Sequence, residues 1–291
     1  MIDGSVRFVF TDADVRGNIV RLGPSYEKIV GPQTYPIEVQ TLLGEFLVAS
    51  LLLSDTIKFE GRLTIQLNGT GAIRLLMAEA THKGTFRGIA RFGDEAKDMQ
   101  YAGKNIRQIV SAGTLTVTVE PEGGERYQSI VPLAGDTLSE CLESYFQQSE
   151  QLNTFIRVFA NREQVTGILI QQLPAQLEKD MFLRRDRWEI IEGLAKTVTA
   201  SELMSDTNKI LLQHLFSEQN VEIFDGTAIQ FQCSCSEERM AGALVSLGET
   251  ELEGLFEEGK ELKLKCEFCG VVYSIGDKKL SQLIADGRSL H

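Results

Sequence analysis

The chain has 291 residues, 43% hydrophobic and 24% charged, an ordinary balance for a globular protein of more than one domain. Its net charge of −12 disfavours nucleic acid and anionic membrane surfaces as partners, because both are polyanions. The start lacks the apolar run of a signal peptide, and the most apolar stretch, 46–53, is far shorter than the ~20 residues that span a bilayer. We therefore expect a cytoplasmic protein, whose five cysteines indicate metal or redox chemistry more than a disulfide framework.

Residues 1–175 predict the large domain of an α+β protein, with helices and a mostly antiparallel sheet. A buried helix is expected over 36–54, because Pro36 suits a first turn and apolar residues occupy nearly every face. Two alternating runs around Asn68 and Gly69 predict a β-hairpin. Further strands are expected over 85–92, 113–121 and 126–133. A helix is expected to begin at Thr137, which has capping-box spacing to Glu140. A hairpin over 154–173 completes the domain.

Residues 176–230 predict a metastable helical linker. Three short amphipathic helices are expected around 188–196, 201–204 and 209–216. Each is weak alone, because helices under ~12–15 residues are marginal in water. The segment should therefore owe its order to packing against a neighbour. Trp188 lies on the apolar face and is either a core residue or part of an apolar binding surface that is sometimes exposed.

Residues 231–291 predict a small zinc-binding domain. The pattern is Cys-x-Cys, then 30 residues, then Cys-x-x-Cys-Gly, and it comprises Cys233, Cys235, Cys266, Cys269 and Gly270. Four thiolates in two local pairs can close a tetrahedron around one Zn²⁺ ion. The glycine lets the backbone curl under the metal with a positive φ. Helices over 237–248, 250–259 and 278–287, and a hairpin formed by 260–265 and 271–276, are expected to frame the cysteines.

Two roles for the metal follow from this chemistry. A purely structural zinc is the simpler one. A redox switch is the other, because all four ligands are oxidisable sulfur, and Lys263 and Lys265 favour thiolate character at the adjacent Cys266. Zinc-binding energy is folding energy in such a small unit, so oxidation that removes two ligands should release the metal and unfold the domain.

Two further classes of protein are weighed against the switch. A zinc-ribbon module for nucleic acid would present a basic face, whereas residues 227–291 carry 7 Lys/Arg and 11 Asp/Glu. A thiol oxidoreductase would place its Cys-x-x-Cys before a helix in a βαβ unit, whereas this motif lies between two predicted short strands. A salt-dependent nucleic-acid shift or turnover of a disulfide substrate would revive these alternatives.

No enzyme active site is predicted. Cys141 lies on an apolar helical face and is expected to be a buried cysteine rather than a fifth redox centre. The histidines His82, His214 and His291 have sequence contexts that suggest no shared site. Residues 68–71, NGTG, give only half of a dinucleotide-binding fingerprint and follow a hairpin strand, so nucleotide binding is not expected.

The cysteine spacing and several other stretches together resemble the heat-shock protein 33 family, the redox-regulated holdase chaperones. VRFVF and VRG resemble the family's opening, and KFEGRLTIQLNGTG resembles its first hairpin. Residues 124–152 resemble its central signature, and residues 171–176 resemble its domain end. QCSCSEER and CEFCG supply cysteine at all four metal positions. The departures are a short N-terminus and a short tail, which affect no functional residue.

This resemblance implies a mechanism. The reduced chain binds one zinc ion and is inactive, while peroxide with heat, or hypochlorous acid, forms Cys233–Cys235 and Cys266–Cys269 disulfides and expels zinc. The C-terminal unit then unfolds, the linker loosens, and the exposed apolar surface binds unfolding client proteins, with homodimerisation and without nucleotide. We expect the client-binding surface to include the apolar linker residues Trp188, Ile191, Leu194, Leu211, Leu212, Leu215 and Phe216.

Overall fold

The structure is a computed structural model that describes residues 3–57, 60–97, 105–245 and 262–276. The chain divides into two compact units, 1–231 and 232–291. The larger unit contains, in chain order, β1 (Gly4–Phe10), β2 (Val15–Leu22), α1 (Pro24–Val30), α2 (Ile37–Ser54), β3 (Gly61–Gly69), β4 (Ile73–Thr81), β5 (Thr85–Phe92), α3 (Ile106–Val110), β6 (Gly113–Pro121), β7 (Tyr127–Val131), α4 (Leu138–Tyr145), β8 (Thr154–Ala160), β9 (Val165–Gln172), α5 (Met181–Ala195), α6 (Ala200–Ser205), α7 (Asn208–Leu215), β10 (Val221–Ile223), β11 (Thr227–Ala228) and β12 (Gln230–Phe231). The smaller unit contains α8 (Glu237–Val245), β13 (Leu262–Lys265) and β14 (Val272–Ile275).

Two sheets, which we call sheet A and sheet B, form the larger unit. Sheet A has the strand order β10-β1-β2-β9-β8, with β11 also paired to β1. Sheet B has the order β12-β5-β4-β3-β6-β7. Within the described residues every pairing is antiparallel except that of β12 with β5. The predicted α+β class with mostly antiparallel sheets is confirmed.

Helix α2 contacts strands of both sheets and forms the centre of the main core. Among the described residues, α2 is the one helix whose length and apolar composition would allow it to cross a membrane. Its side chains are instead buried by protein: Leu42, Phe46 and Leu52 have no exposed surface. That environment is typical of a core helix, which can be apolar on every face.

Helices α5, α6 and α7 cover the face of sheet A that is turned away from α2. On β9, Ile168 and Ile170 belong to the cluster under these helices, whereas Val165 and Leu169 belong to the cluster around α2. This alternation follows from the two-residue period of a strand. Sheet A is therefore buried on both faces, and the residues 176–230 supply one of the two covers.

Most predicted elements of the larger unit are confirmed, with two local differences. The first hairpin turns after Gly69 rather than at the Asn68–Gly69 pair, because both residues stay in β3 and pair with Thr114 and Gly113 of β6. Thr137 caps α4 as predicted, and its hydroxyl accepts from the N–H of Glu140 at 3.2 Å. The Glu140 carboxylate, however, accepts from the N–H of Asp136 at 2.7 Å, so the capping box is not reciprocal.

The predicted linker forms three helices. The second and third lie close to the expected positions, whereas the first, α5, begins at Met181, well before the expected 188–196, and has 15 residues. Side-chain caps explain why the helices begin where they do. Asp180 accepts from the N–H groups of the first turn of α5. Thr199 and Glu202 form a reciprocal capping box on α6, and Thr207 caps α7. Each cap satisfies a backbone donor that would otherwise lack a partner. The end of the segment differs from a helical linker, because residues 221–228 form β10 and β11 on sheet A.

Asp14, in the turn between β1 and β2, holds the start of this segment. Its carboxylate accepts from the N–H groups of Gln176 and Leu177, both at 3.0 Å, and of Glu178 at 3.4 Å. Arg184 of α5 donates to the same carboxylate at 2.6 Å. The Asp14 side chain is only 6% exposed. Burial alone would raise the pKa of Asp14, but these donors outweigh burial and hold the pKa below its usual range.

We expect Asp14→Asn to lower the free energy of unfolding at pH 7 by about 1–3 kcal/mol, because buried donors lose a charged acceptor. A carboxylate with a depressed folded-state pKa stabilises fully above its unfolded value, near 4, and loses that effect as pH falls through the folded value. The difference between wild type and Asp14→Asn should therefore shrink between pH 4 and pH 2, measured by urea unfolding.

Asp12→Asn is the matched control for this prediction. Asp12 forms an ion pair at 2.9 Å with Arg187, which lies in α5 like Arg184, but the Asp12 and Arg187 side chains are 40% and 45% exposed. An exposed ion pair of this kind contributes about 0–1 kcal/mol. Equal losses in the two variants, or a loss at Asp14 that does not change with pH, would contradict the role assigned to Asp14.

Candidate metal centre

Two segments of the smaller unit carry the four clustered cysteines. Cys233 and Cys235 lie on the irregular segment 232–236 that leads into α8, which begins at Glu237. Cys266 and Cys269 lie in the tight turn between β13 and β14, whose antiparallel pairing ends with Lys265 opposite Val272. The hairpin thus fixes one pair of sulfurs, and the segment before the helix supplies the other. The predicted helices over 250–259 and 278–287 lie outside the described residues.

The turn that carries the second pair has the geometry predicted from its glycine. Gly270 has φ 75°, a left-handed conformation that favours glycine. The N–H of Gly270 donates to the carbonyl of Cys266 at 2.8 Å, and the N–H of Cys266 donates to the carbonyl of Val271 at 2.8 Å. The N–H of Val271 also donates to the sulfur of Cys269. Backbone donors therefore orient this turn around the sulfurs, and the expectation for Gly270 is confirmed.

The four sulfur atoms form one compact cluster. All lie within 4.8 Å of one another, with Sγ–Sγ distances of 3.7 Å for Cys233–Cys266 and 3.4 Å for Cys235–Cys269. A tetrahedron with Zn–S bonds of ~2.3 Å has edges of about 3.8 Å. The sulfurs are unpaired thiols in this structure. Their number, type and spacing fit a single tetrahedral zinc ion, and these four residues could hold it.

The environment of the thiols differs from one cysteine to the next. Partial burial raises the pKa of Cys233 and of Cys269. Burial acts on Cys235 as well, but hydrogen bonds from the Tyr273 hydroxyl and from the other cysteines outweigh it and lower the pKa of Cys235 to about 7. Four adjacent thiols cannot all ionise without a compensating cation. A divalent metal ion would supply that charge and hold all four as thiolates.

Tyr273 is a neighbour of the cluster that the sequence analysis missed. Its hydroxyl oxygen lies 3.1 Å from the sulfur of Cys235. The alternation in VYSI places Tyr273 on the same strand face as the fully buried Ile275, but it does not indicate a contact with Cys235. Lys263 and Lys265, which were expected to favour the thiolate of Cys266, have exposed side chains on the alternate positions of β13. Their effect on the thiolate stays a prediction.

The residues predicted to bind clients lie together in the larger unit. Trp188, Ile191, Leu211, Leu212, Leu215 and Phe216 are buried in the cluster between α5–α7 and sheet A, and Leu194 packs against it. The sheet contributes Phe8 and Phe10, whose rings lie 6.5 and 5.1 Å from the ring of Phe216. In this state these residues form a core, so binding of clients by them stays a prediction that requires the helices to move.

The remaining candidates occupy ordinary structural positions. Cys141 is fully buried, burial raises the pKa of its thiol, and its sulfur contacts the carbonyl of Gly135 at 3.7 Å. This confirms the expected buried cysteine. His82 bonds to the backbone of Gly61, and His214 lies 3.5 Å from Asp206. The C-terminal histidine lies outside the described residues.

Comparisons with known proteins agree with this architecture. A family model described as Hsp33 protein matches residues 3–276. The chain belongs to the Hsp33 family. Among its curated Hsp33 relatives, the 33 kDa chaperonin of Pseudomonas paraeruginosa is 42% identical over 99% of this chain and 96% of that protein. The 33 kDa chaperonin of Azotobacter vinelandii is 41% identical with the same coverage.

A solved structure supports the fold independently. The crystal structure of the 33 kDa chaperonin, a heat shock protein 33 homologue, from Thermotoga maritima superposes with a TM-score of 0.79. The match covers 99% of both chains at 24% sequence identity. At that identity the likeness concerns the fold. The described parts of the chain therefore share the fold of that structure.

Proposed function

We propose that the chain is an ATP-independent chaperone, a holdase that is inactive while zinc is bound and is activated by oxidation. The observation that carries the proposal is the cluster of four reduced cysteine sulfurs within 4.8 Å of one another. Membership of the Hsp33 family and relatives named 33 kDa chaperonin support the chaperone activity. The burial of an apolar helical segment on sheet A supports the idea of a surface that can be uncovered.

In the reduced state, Cys233, Cys235, Cys266 and Cys269 hold one zinc ion. These sulfurs come from the segment before α8 and from the β13–β14 hairpin, so a bound ion would hold the two segments together. The described residues of this unit bury few apolar side chains, among them Ala241 and Ile275. Metal binding therefore supplies much of the folding free energy of the unit. Withdrawing the ion withdraws that stabilisation by mass action.

Oxidation by hydrogen peroxide proceeds in two steps at each cysteine pair. One thiolate attacks a peroxide oxygen, which gives a sulfenic acid and releases hydroxide. The partner thiolate then displaces a second hydroxide and forms the disulfide, so each pair loses two electrons to one peroxide. Disulfides Cys233–Cys235 and Cys266–Cys269 are proposed from the short spacers and the family resemblance. Each disulfide removes two ligands, and its ~2.05 Å bond is incompatible with sulfurs spaced around a metal.

Unfolding of the zinc-free unit 232–291 then frees the segment 176–230 from sheet A. Its helices begin after a loop held by Asp14 and depend on packing rather than on intrinsic helix propensity. Detachment exposes the apolar residues around Trp188 and Phe216 together with their sheet partners. The exposed surface binds unfolding clients during oxidative stress in the cytoplasm, and two activated chains form a dimer. The activity requires neither nucleotide nor nucleic acid.

A single experiment tests this function. The reduced, zinc-loaded chain is treated with peroxide at raised temperature, and zinc release is followed with a chromogenic chelator. Aggregation of a denaturing client is followed in parallel by light scattering, without nucleotide. We expect one zinc ion per chain to be released and aggregation to be suppressed only after oxidation, with reversal by a reductant and zinc. An oxidised, zinc-free chain that leaves client aggregation unchanged would contradict the proposal.

A further inference from the structure

We propose that Tyr273 is a positioning residue of the metal centre, whose hydroxyl holds the Cys235 sulfur and slows its oxidation. The hydroxyl oxygen lies 3.1 Å from that sulfur, within the range of a sulfur hydrogen bond. The inference rests on the proposed function, since it concerns the same four cysteines. It adds a group outside the ligand set that controls how readily the ligands are lost.

The hairpin, rather than the metal, places this hydroxyl. Tyr273 lies opposite Leu264 in the β13–β14 ladder, and Leu262 lies opposite Ile275, so these four side chains share the more buried face. Cys235 lies on the other segment, before α8. The Tyr273–Cys235 contact therefore links the two cysteine-bearing segments directly. Only the Tyr273 hydroxyl and the Cys235 sulfur take part in this contact.

The direction of the hydrogen bond follows from the chemistry of the reduced centre. A metal-bound cysteine is a thiolate, which can only accept, so the tyrosine hydroxyl donates. A tyrosine hydroxyl is ordinarily protonated at neutral pH, so Tyr273 can act as the donor to the sulfur 3.1 Å away. The bond is charge-assisted while the sulfur is a thiolate, and it weakens when the sulfur becomes neutral.

The hydrogen bond is stronger to the Cys235 thiolate than to the neutral sulfur, and this difference slows the first oxidative step. When the Cys235 thiolate attacks peroxide, its lone pair forms the S–O bond, hydroxide leaves, and the neutral sulfenic sulfur loses most of its hydrogen bond to Tyr273. The bond therefore stabilises the reactant more than the product and raises the barrier. It also orients the ligand, and second-sphere hydrogen bonds of this kind change metal affinity by about 10–100-fold.

The test uses Tyr273→Phe in the full-length chain, which removes the hydroxyl and keeps the ring that packs on the hairpin. Tyr127→Phe is the matched control, because Tyr127 is 57% exposed and lies on β7 of the larger unit. Zinc affinity is measured by competition with a chromogenic chelator, and zinc release is timed at a fixed peroxide concentration. We expect Tyr273→Phe to bind zinc about 10-fold more weakly and to release it several-fold faster. Tyr127→Phe should match the wild type.

A spectroscopic measurement separates the hydrogen bond from a general structural role. With Co²⁺ in place of zinc, loss of a hydrogen bond to one thiolate should move the sulfur-to-cobalt absorption band to lower energy, while a merely loosened fold would not shift it. Zinc affinity and cobalt spectrum equal to those of the wild type would overturn the role of Tyr273. A wild-type chain that binds zinc but keeps it after oxidation would overturn the proposed function, and the affinity comparison would still decide the role of Tyr273.

Discussion

Replacing Cys269 by serine is expected to lower zinc affinity by at least about 100-fold and to leave the unit 232–291 largely unfolded. The sulfur of Cys269 lies 3.4 Å from that of Cys235, and its turn is held by the left-handed Gly270. A serine hydroxyl stays protonated near neutral pH and is a poor zinc ligand, so three thiolates would remain. Because structural zinc contributes about 10–16 kcal/mol to small domains, weaker binding translates directly into unfolding.

The loss of zinc affinity is measured as the zinc content that remains after dialysis against a weak chelator. Unfolding of the unit 232–291 is measured by limited proteolysis. Cys141→Ala is the control, because it also removes a thiol, but from a fully buried position in α4 that has no part in the cluster. That variant should retain one zinc ion per chain. Full zinc retention by Cys269→Ser would show that the four sulfurs do not form the metal site.

The second large effect is expected at Phe216, which closes the contact between α7 and sheet A. Its side chain is 2% exposed and its ring meets the ring of Phe10 edge-on, with centroids 5.1 Å apart. Phe216→Ala should cost about 3–5 kcal/mol, the usual range for a fully buried phenylalanine. Because the proposed mechanism holds this segment on sheet A by packing alone, we expect the reduced, zinc-bound variant to suppress client aggregation without any oxidant.

Phe182→Ala provides a matched control on the same segment. Phe182 lies in the first turn of α5, yet 82% of its surface is exposed. Its removal should change the free energy of unfolding by less than about 0.5 kcal/mol. Binding of a hydrophobic dye and light scattering of a denaturing client compare the two variants. Equal behaviour of Phe216→Ala and wild type in both assays would show that packing on sheet A does not restrain the chaperone.

The sequence predicted best those elements whose signal is local. The helix over 36–54 and the strands with strict alternation were placed within a few residues, because their periodicity lies within the element itself. Strand β2 carries no such signal, since nearly all its residues are buried. Its Asn18 donates to the carbonyl of Leu52, and its Arg21 donates to Asn208. Such polar residues become core residues only through distant partners.

The same distinction applies to the metal centre. The four cysteines and the glycine were predicted because ligand spacing and turn geometry are local properties of the sequence. Tyr273 was missed because its contact with Cys235 crosses from the hairpin to another segment. The short strands β10–β12 were missed for a similar reason, since two or three residues carry no period and pair with strands far away in the chain.

Residues 221–231 have one further consequence, which concerns the backbone rather than apolar side chains. Strands β10 and β11 pair with β1, and β12 pairs with the first two residues of β5, so these residues lie at one edge of each sheet. Their last residue stands one position before Gln232 and two before Cys233. In the proposed activation these residues leave with the linker, and the positions of β1 and β5 that they cover would then carry unpaired N–H and C=O groups. An exposed edge can pair with an extended chain through backbone hydrogen bonds, so the proposed activated state would accept clients of different sequences.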